Sequence, residues 1–78
     1  MTAEEIQVLL EKNLTGCDAQ VFSDDNTHFE AVVVCEDFAG KRPIARHQMV
    51  YAALGDLIGG DIHALSIKAL TPGEAGNS

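Results

Sequence analysis

The chain has 78 residues, enough for one small domain whose core leaves little room for a deep catalytic cleft. Twelve acidic residues against five basic ones give a net charge of −7, and an acidic field repels nucleic-acid backbones. The apolar fraction of 46% and the charged fraction of 22% are those of a globular chain and not of a disordered one. These properties favour a binding or adaptor module over an enzyme.

The first predicted element is a helix over residues 2–14. Thr2 and Glu5 have the spacing of a capping box, in which each residue satisfies a free amide of the first turn. The apolar residues that recur at helical spacing are Ile6, Leu9, Leu10 and Leu14. Gly16 follows as a candidate helix terminator.

Two strands are predicted next, at residues 18–23 and 28–35. Residues 24–27 are turn formers, and the second strand is rich in β-branched residues. Two strands joined by so short a polar loop predict an antiparallel hairpin. The residues that share one face of the second strand are Phe29, Ala31, Val33 and Cys35.

A second helix is predicted over Pro43–Leu54, because proline is well tolerated at the first helical position. Gly55 interrupts it, and Asp56–Ile58 predict one further turn. The residues that fall on one face are Ile44, His47, Val50, Tyr51 and Leu54. Since His47 lies on this apolar face, we expect it to be a packed, hydrogen-bonded core histidine.

The last predicted strand covers residues 62–70, and a domain at 1–72 is followed by a flexible tail at 73–78. A helical crossover normally places the strands that it joins parallel. The fold class is therefore α+β, in the order α-β-β-α-(short α)-β, with a three-stranded mixed sheet and the helices on one face.

The two cysteines are Cys17 and Cys35, whereas a disulfide scaffold of this size usually carries more. We expect both thiols to be free, with Cys35 buried among apolar neighbours and Cys17 exposed after Gly16. No apolar run has membrane-spanning length, and the first residues lack the basic and apolar regions of a signal peptide. The expected compartment is the cytosol.

Residues 38–51, FAGKRPIARHQMVY, resemble the signature of the BolA family. The matching positions are Phe38, Gly40, Lys41, Arg46, His47, Val50 and Tyr51. Residues 62–72 resemble the family's second motif, a histidine that opens the last strand and a Thr-Pro that ends it, and residues 27–34 resemble its second strand. The resemblance covers nearly the whole chain and is closest to the short bacterial branch.

This resemblance implies a class II KH-like fold, which agrees with the element order obtained from periodicity. It also implies a partner, a monothiol glutaredoxin that carries a 2Fe–2S cluster together with glutathione. In that family the BolA protein supplies one histidine ligand, and in many members a second ligand comes from the loop between the first two strands. Some members also bind DNA and regulate transcription.

The resemblance assigns a ligand role to His63, and a neutral imidazole suits cluster iron. The alternative is a histidine that only starts a strand. The first interstrand loop has no cysteine, so His28 is the better second ligand, and Asp24 or Asp25 would offer oxygen, a poorer match for this iron. The alternative for His28 is a solvated strand residue.

Lys41, Arg42 and Arg46 hold three of the five basic charges within six positions. Their side chains suit carboxylates, such as those of glutathione or of an acidic partner surface. The alternative is a solvated helix start. The same three residues are the candidate nucleic-acid contacts.

The preferred function is a non-enzymatic adaptor for iron–sulfur cluster handling, monomeric on its own, that binds a glutaredoxin. The alternative is a nucleic-acid-binding transcriptional regulator, but the chain has no GXXG loop of the KH type. A thiol reductase is a third class, which the lack of a C-x-x-C motif disfavours.

Overall fold

The computed structural model describes residues 2–14, 16–60, 62 and 64–76. The helices are α1 at Ala3–Asn13, α2 at Pro43–Leu54 and α3 at Pro72–Gly76, and the strands are β1 at Asp18–Phe22, β2 at His28–Val34 and β3 at Ala64–Leu70. Single 3₁₀ turns lie at Glu36–Phe38 and Gly55–Leu57. Among the described residues, no helix is both long and apolar enough to span a membrane.

The predicted capping box starts α1. The Thr2 hydroxyl accepts a hydrogen bond from the Glu5 amide at 3.2 Å, and the Thr2 amide donates to the Glu5 carboxylate at 2.9 Å. The second bond stabilises the charged carboxylate and lowers the pKa of Glu5. Ile6 and Leu10 of the predicted apolar stripe are fully buried, so this part of the prediction is confirmed.

The three strands form one mixed sheet in the order β1-β2-β3. β1 and β2 are antiparallel, with Asp18 opposite Val34, while β2 and β3 are parallel, with His28 opposite Ala64. The helical segment between β2 and β3 thus acts as the crossover that the sequence predicts. The predicted α+β class and the mixed sheet are confirmed.

One face of this sheet carries the core. The strand residues buried there are Ala19, Val21, Phe29, Ala31 and Val33. α1 and α2 add their buried side chains to the same cluster, so both helices lie on that face. The other face carries the alternate residues of the same strands. Its residues on β2 and β3 are His28, Glu30, Val32, Val34, Ala64, Ser66, Lys68 and Leu70.

The buried face of α2 differs from the predicted one. Val50 and Leu54 are buried, but Ile44 is 68% exposed and Tyr51 is 41% exposed. His47 is only half-buried, and its ring forms no hydrogen bond with any described residue, so the expected hydrogen-bonded core histidine is not found. Relative to the predicted orientation, α2 is rotated about its own axis, because Arg46, four residues before Val50, also faces inwards.

The Arg46 side chain is 12% exposed and is bound on several sides. Its Nε donates to the Lys41 carbonyl at 2.9 Å, and its Nη1 donates to the Ala69 carbonyl at 3.0 Å and to the Glu74 carboxylate at 2.7 Å. The guanidinium carbon lies 5.9 Å from the centre of the Phe38 ring. Arg46 therefore joins the loop before α2, the end of β3 and α3.

α3 lies where the sequence analysis places a flexible tail. The Glu74 amide donates to the Thr71 hydroxyl at 3.2 Å, and the Thr71 amide donates to the Glu74 carboxylate at 2.8 Å. This is the reciprocal arrangement seen at Thr2 and Glu5, with proline in the first helical position. The same sequence pattern thus occurs twice, and the second instance also starts a helix.

The two cysteines are not free thiols. Cys17 and Cys35 form a disulfide with a Cα–Cα distance of 4.4 Å, so the prediction of two free thiols is wrong. Cys35 is 2% exposed, which confirms its expected burial, but Cys17 is 8% exposed and is also buried, contrary to expectation. The reason is that the hairpin places the two residues directly across from each other, one pair beyond Asp18 and Val34.

We expect Arg46→Gln to lower the free energy of unfolding by about 2 kcal/mol, because the Ala69 and Lys41 carbonyls lose their charged donor and Glu74 loses its ion-pair partner. The melting temperature should fall by about 10 °C. Lys41→Gln and Arg42→Gln are the matched controls, since both side chains are exposed, and each should stay within about 2 °C of the wild type. An Arg46→Gln protein with the same melting temperature as these two controls would contradict the structural role of Arg46.

Arg46 and the Thr71 amide lower the pKa of Glu74 from 4.5 to about 2. Because the folded-state pKa is below the unfolded one, this stabilisation is present above about pH 4.5 and is lost as the pH falls towards 2. Urea unfolding of the wild type and of Glu74→Gln should therefore differ most at neutral pH and converge in acid. A difference that persists unchanged to pH 2 would contradict the assignment of this ion pair.

Candidate functional site

The loop between β1 and β2 is held by its own polar groups. The Asp25 carboxylate accepts hydrogen bonds from the Thr27 and His28 amides, both at 2.9 Å. The Ser23 hydroxyl donates to the His28 carbonyl at 2.6 Å and accepts from the Asn26 amide at 2.9 Å. Short polar side chains that bond to the backbone a few residues on are typical of tight turns. The start of β2 is therefore fixed relative to the loop.

Asp25 also orients the His28 ring. Its second carboxylate oxygen lies 3.0 Å from His28 Nδ1, and the His28 side chain is 74% exposed. The His28 amide, the His28 ring and the Thr27 amide together hold the pKa of the Asp25 carboxyl well below its usual range. In the neutral tautomer that donates from Nδ1, the Nε2 lone pair is free to bind a metal.

The spacing between Asp25 and His28 is a local sequence signal for this arrangement. Asp25 is predicted above as a weaker oxygen ligand, whereas both of its oxygens are engaged in hydrogen bonds with Thr27 and His28. The residue lies three positions before His28, which is the local spacing that lets an aspartate bond the backbone beyond a turn. Asp25 is thus placed to position His28.

His28 lines a cleft of about 330 Å³ at the end of the sheet where β2 and β3 begin. The residues that form this His28 cleft are Phe22, Ser23, Asp24, Asp25, His28, Phe29, Glu30, Ala64 and Ser66. Three of them are acidic, and the Phe22 ring, which is 52% exposed, adds an apolar wall. A ligand in this cleft would meet the His28 imidazole, several carboxylates and the Phe22 ring.

His63, the first of the predicted metal ligands, lies outside the described residues. Ala64, which follows it in sequence, is paired with His28, so β2 and β3 start at the same end of the sheet. Among residues 2–14, 16–60, 62 and 64–76, no three His, Cys, Asp or Glu side chains form a group that could hold a metal ion. The ligand roles of His63 and His28 stay predictions.

The three basic residues predicted as one patch are separated by the structure. The Arg46 guanidinium is engaged between β3 and α3, whereas Lys41 and Arg42 are exposed. Lys41 Nζ donates to the Asp37 carbonyl at 2.9 Å, and Arg42 immediately precedes α2. Of these three, the exposed residues are Lys41 and Arg42, here called the basic loop. The expectation of three exposed charges is therefore wrong for Arg46.

The basic loop and the His28 cleft lie towards opposite ends of the sheet. Arg46 binds the carbonyls of both Lys41 and Ala69, so the basic loop lies near the end of β3. His28 is paired with Ala64 at the start of the same strand. At the usual rise of a strand, Ala64 and Ala69 are about 16 Å apart. A partner that used both regions would have to contact this whole length.

The family model described as BolA-like protein matches residues 2–74. The chain is 40% identical to the "Acid stress protein IbaG" of Escherichia coli over 75 residues, which cover 95% of this chain and 88% of that one. It is 48% identical to the "DNA-binding transcriptional regulator BolA" of Vibrio cholerae over 48 residues, 62% of this chain and 45% of that one. It spans about half the length of the first curated relatives it matches, the mammalian BolA-like proteins 1, at 49% to 52%.

The fold is also that of solved family members. A BolA protein homologue from Coxiella burnetii superposes with a TM-score of 0.83 at 42% identity, covering 97% of both chains. The agreement extends over the helices and the three-stranded mixed sheet, and the family model covers nearly the whole chain. This chain therefore belongs to the BolA-like family.

Proposed function

We propose that this chain is a non-enzymatic adaptor in iron–sulfur cluster assembly and trafficking, which binds a monothiol glutaredoxin and ligates a shared 2Fe–2S cluster through histidine. The observation that carries the proposal is the exposed His28 ring, held by Asp25 at 3.0 Å beside the start of β3. His63 is the other proposed ligand, on the strength of the family resemblance. The partner and glutathione would supply the remaining ligands.

The chemistry of the His28 cleft supports imidazole over carboxylate as the ligand. A borderline metal beside soft sulfide prefers nitrogen or sulfur donors to oxygen, and the Asp25 oxygens are already hydrogen-bonded. A neutral imidazole in place of a thiolate also makes the cluster less negative by one charge. This matters because Asp24, Asp25 and Glu30 line the cleft and would repel an anionic group.

The basic loop supports a second contact with the same partner. Lys41 and Arg42 are exposed cations on a chain of net charge −7, so they give this acidic molecule one local positive region. Ile44, 68% exposed in the first turn of α2, adds an apolar side chain beside them. A standard interface of about 800 Å² per partner is wide enough to reach from this loop to the His28 cleft.

The second candidate function is a nucleic-acid-binding regulator, which the name of the Vibrio cholerae relative and the exposed basic loop favour. The engaged Arg46 guanidinium leaves only two of the three predicted contacts available. Two phosphate contacts on so acidic a chain would give a weak affinity, and because the salt dependence scales with the number of contacts, that dependence would be shallow. A titration of a DNA duplex at two salt concentrations separates this function from the adaptor.

The ligand hypothesis is tested by mixing the protein with a cluster-loaded monothiol glutaredoxin and recording visible absorption and circular dichroism. His63→Ala should abolish the spectral change of the heterocomplex, and His28→Ala should weaken it. Asp25→Asn should reduce cluster affinity by about 10- to 100-fold, because the ring loses its charged orienting partner. Asp24→Asn, in the same cleft, is the control for lost charge and should behave as wild type. A wild-type spectrum from both histidine variants would refute the proposal.

The basic loop is tested by a Lys41→Gln/Arg42→Gln double variant. Its association with the glutaredoxin should be several-fold slower at low salt, because exposed charges mainly steer the encounter, while the spectrum at saturation should be unchanged. Lys12→Gln/Lys68→Gln removes the same charge from other exposed positions and is the matched control. Equal slowing in both double variants would show that net charge, and not this loop, is what matters.

A further inference from the structure

The disulfide extends the β1–β2 ladder by one pair. Asp18 is opposite Val34, and the next position joins Cys17 to Cys35 at a Cα–Cα distance of 4.4 Å. The Cys35 amide donates to the Leu70 carbonyl and the Cys17 amide to the Leu14 carbonyl, so neither bonds across the pair. Side chains approach most closely at such non-hydrogen-bonded positions of antiparallel strands. The register of β1 against β2 is therefore sufficient to bring the two sulfurs together.

The surroundings suit the two thiols as well as the disulfide. Cys35 is 2% exposed and Cys17 is 8% exposed, and both belong to the apolar core cluster. No polar or charged residue is buried among the described residues, so the site is apolar. A neutral thiol packs in such a site as a small hydrophobic group. The fold can thus hold this pair in either redox state.

From this geometry we propose that Cys17 and Cys35 form a reversible redox modification site, which exchanges electrons with a low-molecular-weight thiol–disulfide couple of the glutathione class. Oxidation joins the two sulfurs, passes two electrons to glutathione disulfide and releases two glutathione thiols. Reduction is the reverse process. This proposal is independent of the glutaredoxin adaptor role.

Cys17 is the sulfur that we expect an external thiolate to attack. It is the more exposed of the two, and it follows Gly16, which is exposed and has open space where a Cβ would lie. A glutathione thiolate attacks Cys17 Sγ, the disulfide breaks, and Cys35 leaves as a thiolate that takes a proton from water. A second glutathione thiolate then attacks the mixed disulfide, which releases Cys17 and glutathione disulfide.

The redox state acts on the hairpin that carries the His28 cleft. The disulfide closes a ring with a sequence separation of 18 that contains β1, the whole β1–β2 loop and β2. Such a ring stabilises the folded state mainly by restricting the unfolded chain. Cys35 also directly precedes the 3₁₀ turn Glu36–Phe38 that leads to the basic loop. Reduction should therefore loosen the base of the hairpin and the segment that follows β2.

The test equilibrates the folded protein in glutathione buffers of graded ratio, quenches with acid, alkylates free thiols and measures intact mass. We expect two populations, with two thiols or none, and a tenfold change in their ratio for each tenfold change in [GSH]²/[GSSG]. The oxidised form should melt about 10 °C or more above the reduced form. Hydrogen exchange of β1 and of Glu36–Phe38 should be faster after reduction.

Cys17→Ala is the control, because its melting temperature should not depend on the redox buffer. Two free thiols in the most oxidising buffer would overturn the proposal. So would a disulfide that survives excess reduced glutathione in the folded protein and is reduced only in urea, since that bond would be permanently structural. Equal melting temperatures for the two redox forms would overturn the proposed effect on the hairpin.

Discussion

The pairing of the central strand β2 with both of its neighbours is the constraint on which the rest of the molecule depends. Its antiparallel register with β1 places Cys17 across from Cys35, and its parallel register with β3 places His28 beside Ala64. A shift of either register by one residue would turn its buried face to solvent. The core, the disulfide and the start of the candidate cleft are therefore set by the same hydrogen-bond ladder.

Arg46 shows how a charged residue within a signature motif can serve the fold. Its guanidinium satisfies the free carbonyl of Ala69 on the edge strand and pairs with Glu74, at only 12% exposure. A charge with so little exposure to solvent is tolerated only when it is paired and hydrogen-bonded, as it is here. The contacts also explain why the last described residues form α3: the Glu74 that caps this short helix is the partner of Arg46.

The candidate functional groups form two separate regions of the surface. His28 and Asp25 lie at the end of the sheet where β2 begins, while the exposed cations Lys41 and Arg42 lie near the end of β3. The two regions differ in the sign of their charge as well as in position, since the cleft is acidic and the loop is basic. One region suits ligation through an imidazole, and the other suits the approach of an acidic surface. Their separation allows the two roles to be altered independently.

The sequence alone determined the order and type of the main elements, because the hydrophobic periods, the Thr2–Glu5 capping box and the polar turn before His28 are local signals. The fold class, the limits of α2 and the parallel crossover were predictable for the same reason. Only the tertiary structure decided the inward side of α2, since an inward-facing arginine cannot be told from a surface one until its partners on β3 and α3 are in place. It likewise decided the disulfide, because whether Cys17 meets Cys35 depends on a strand register that residue spacing leaves open.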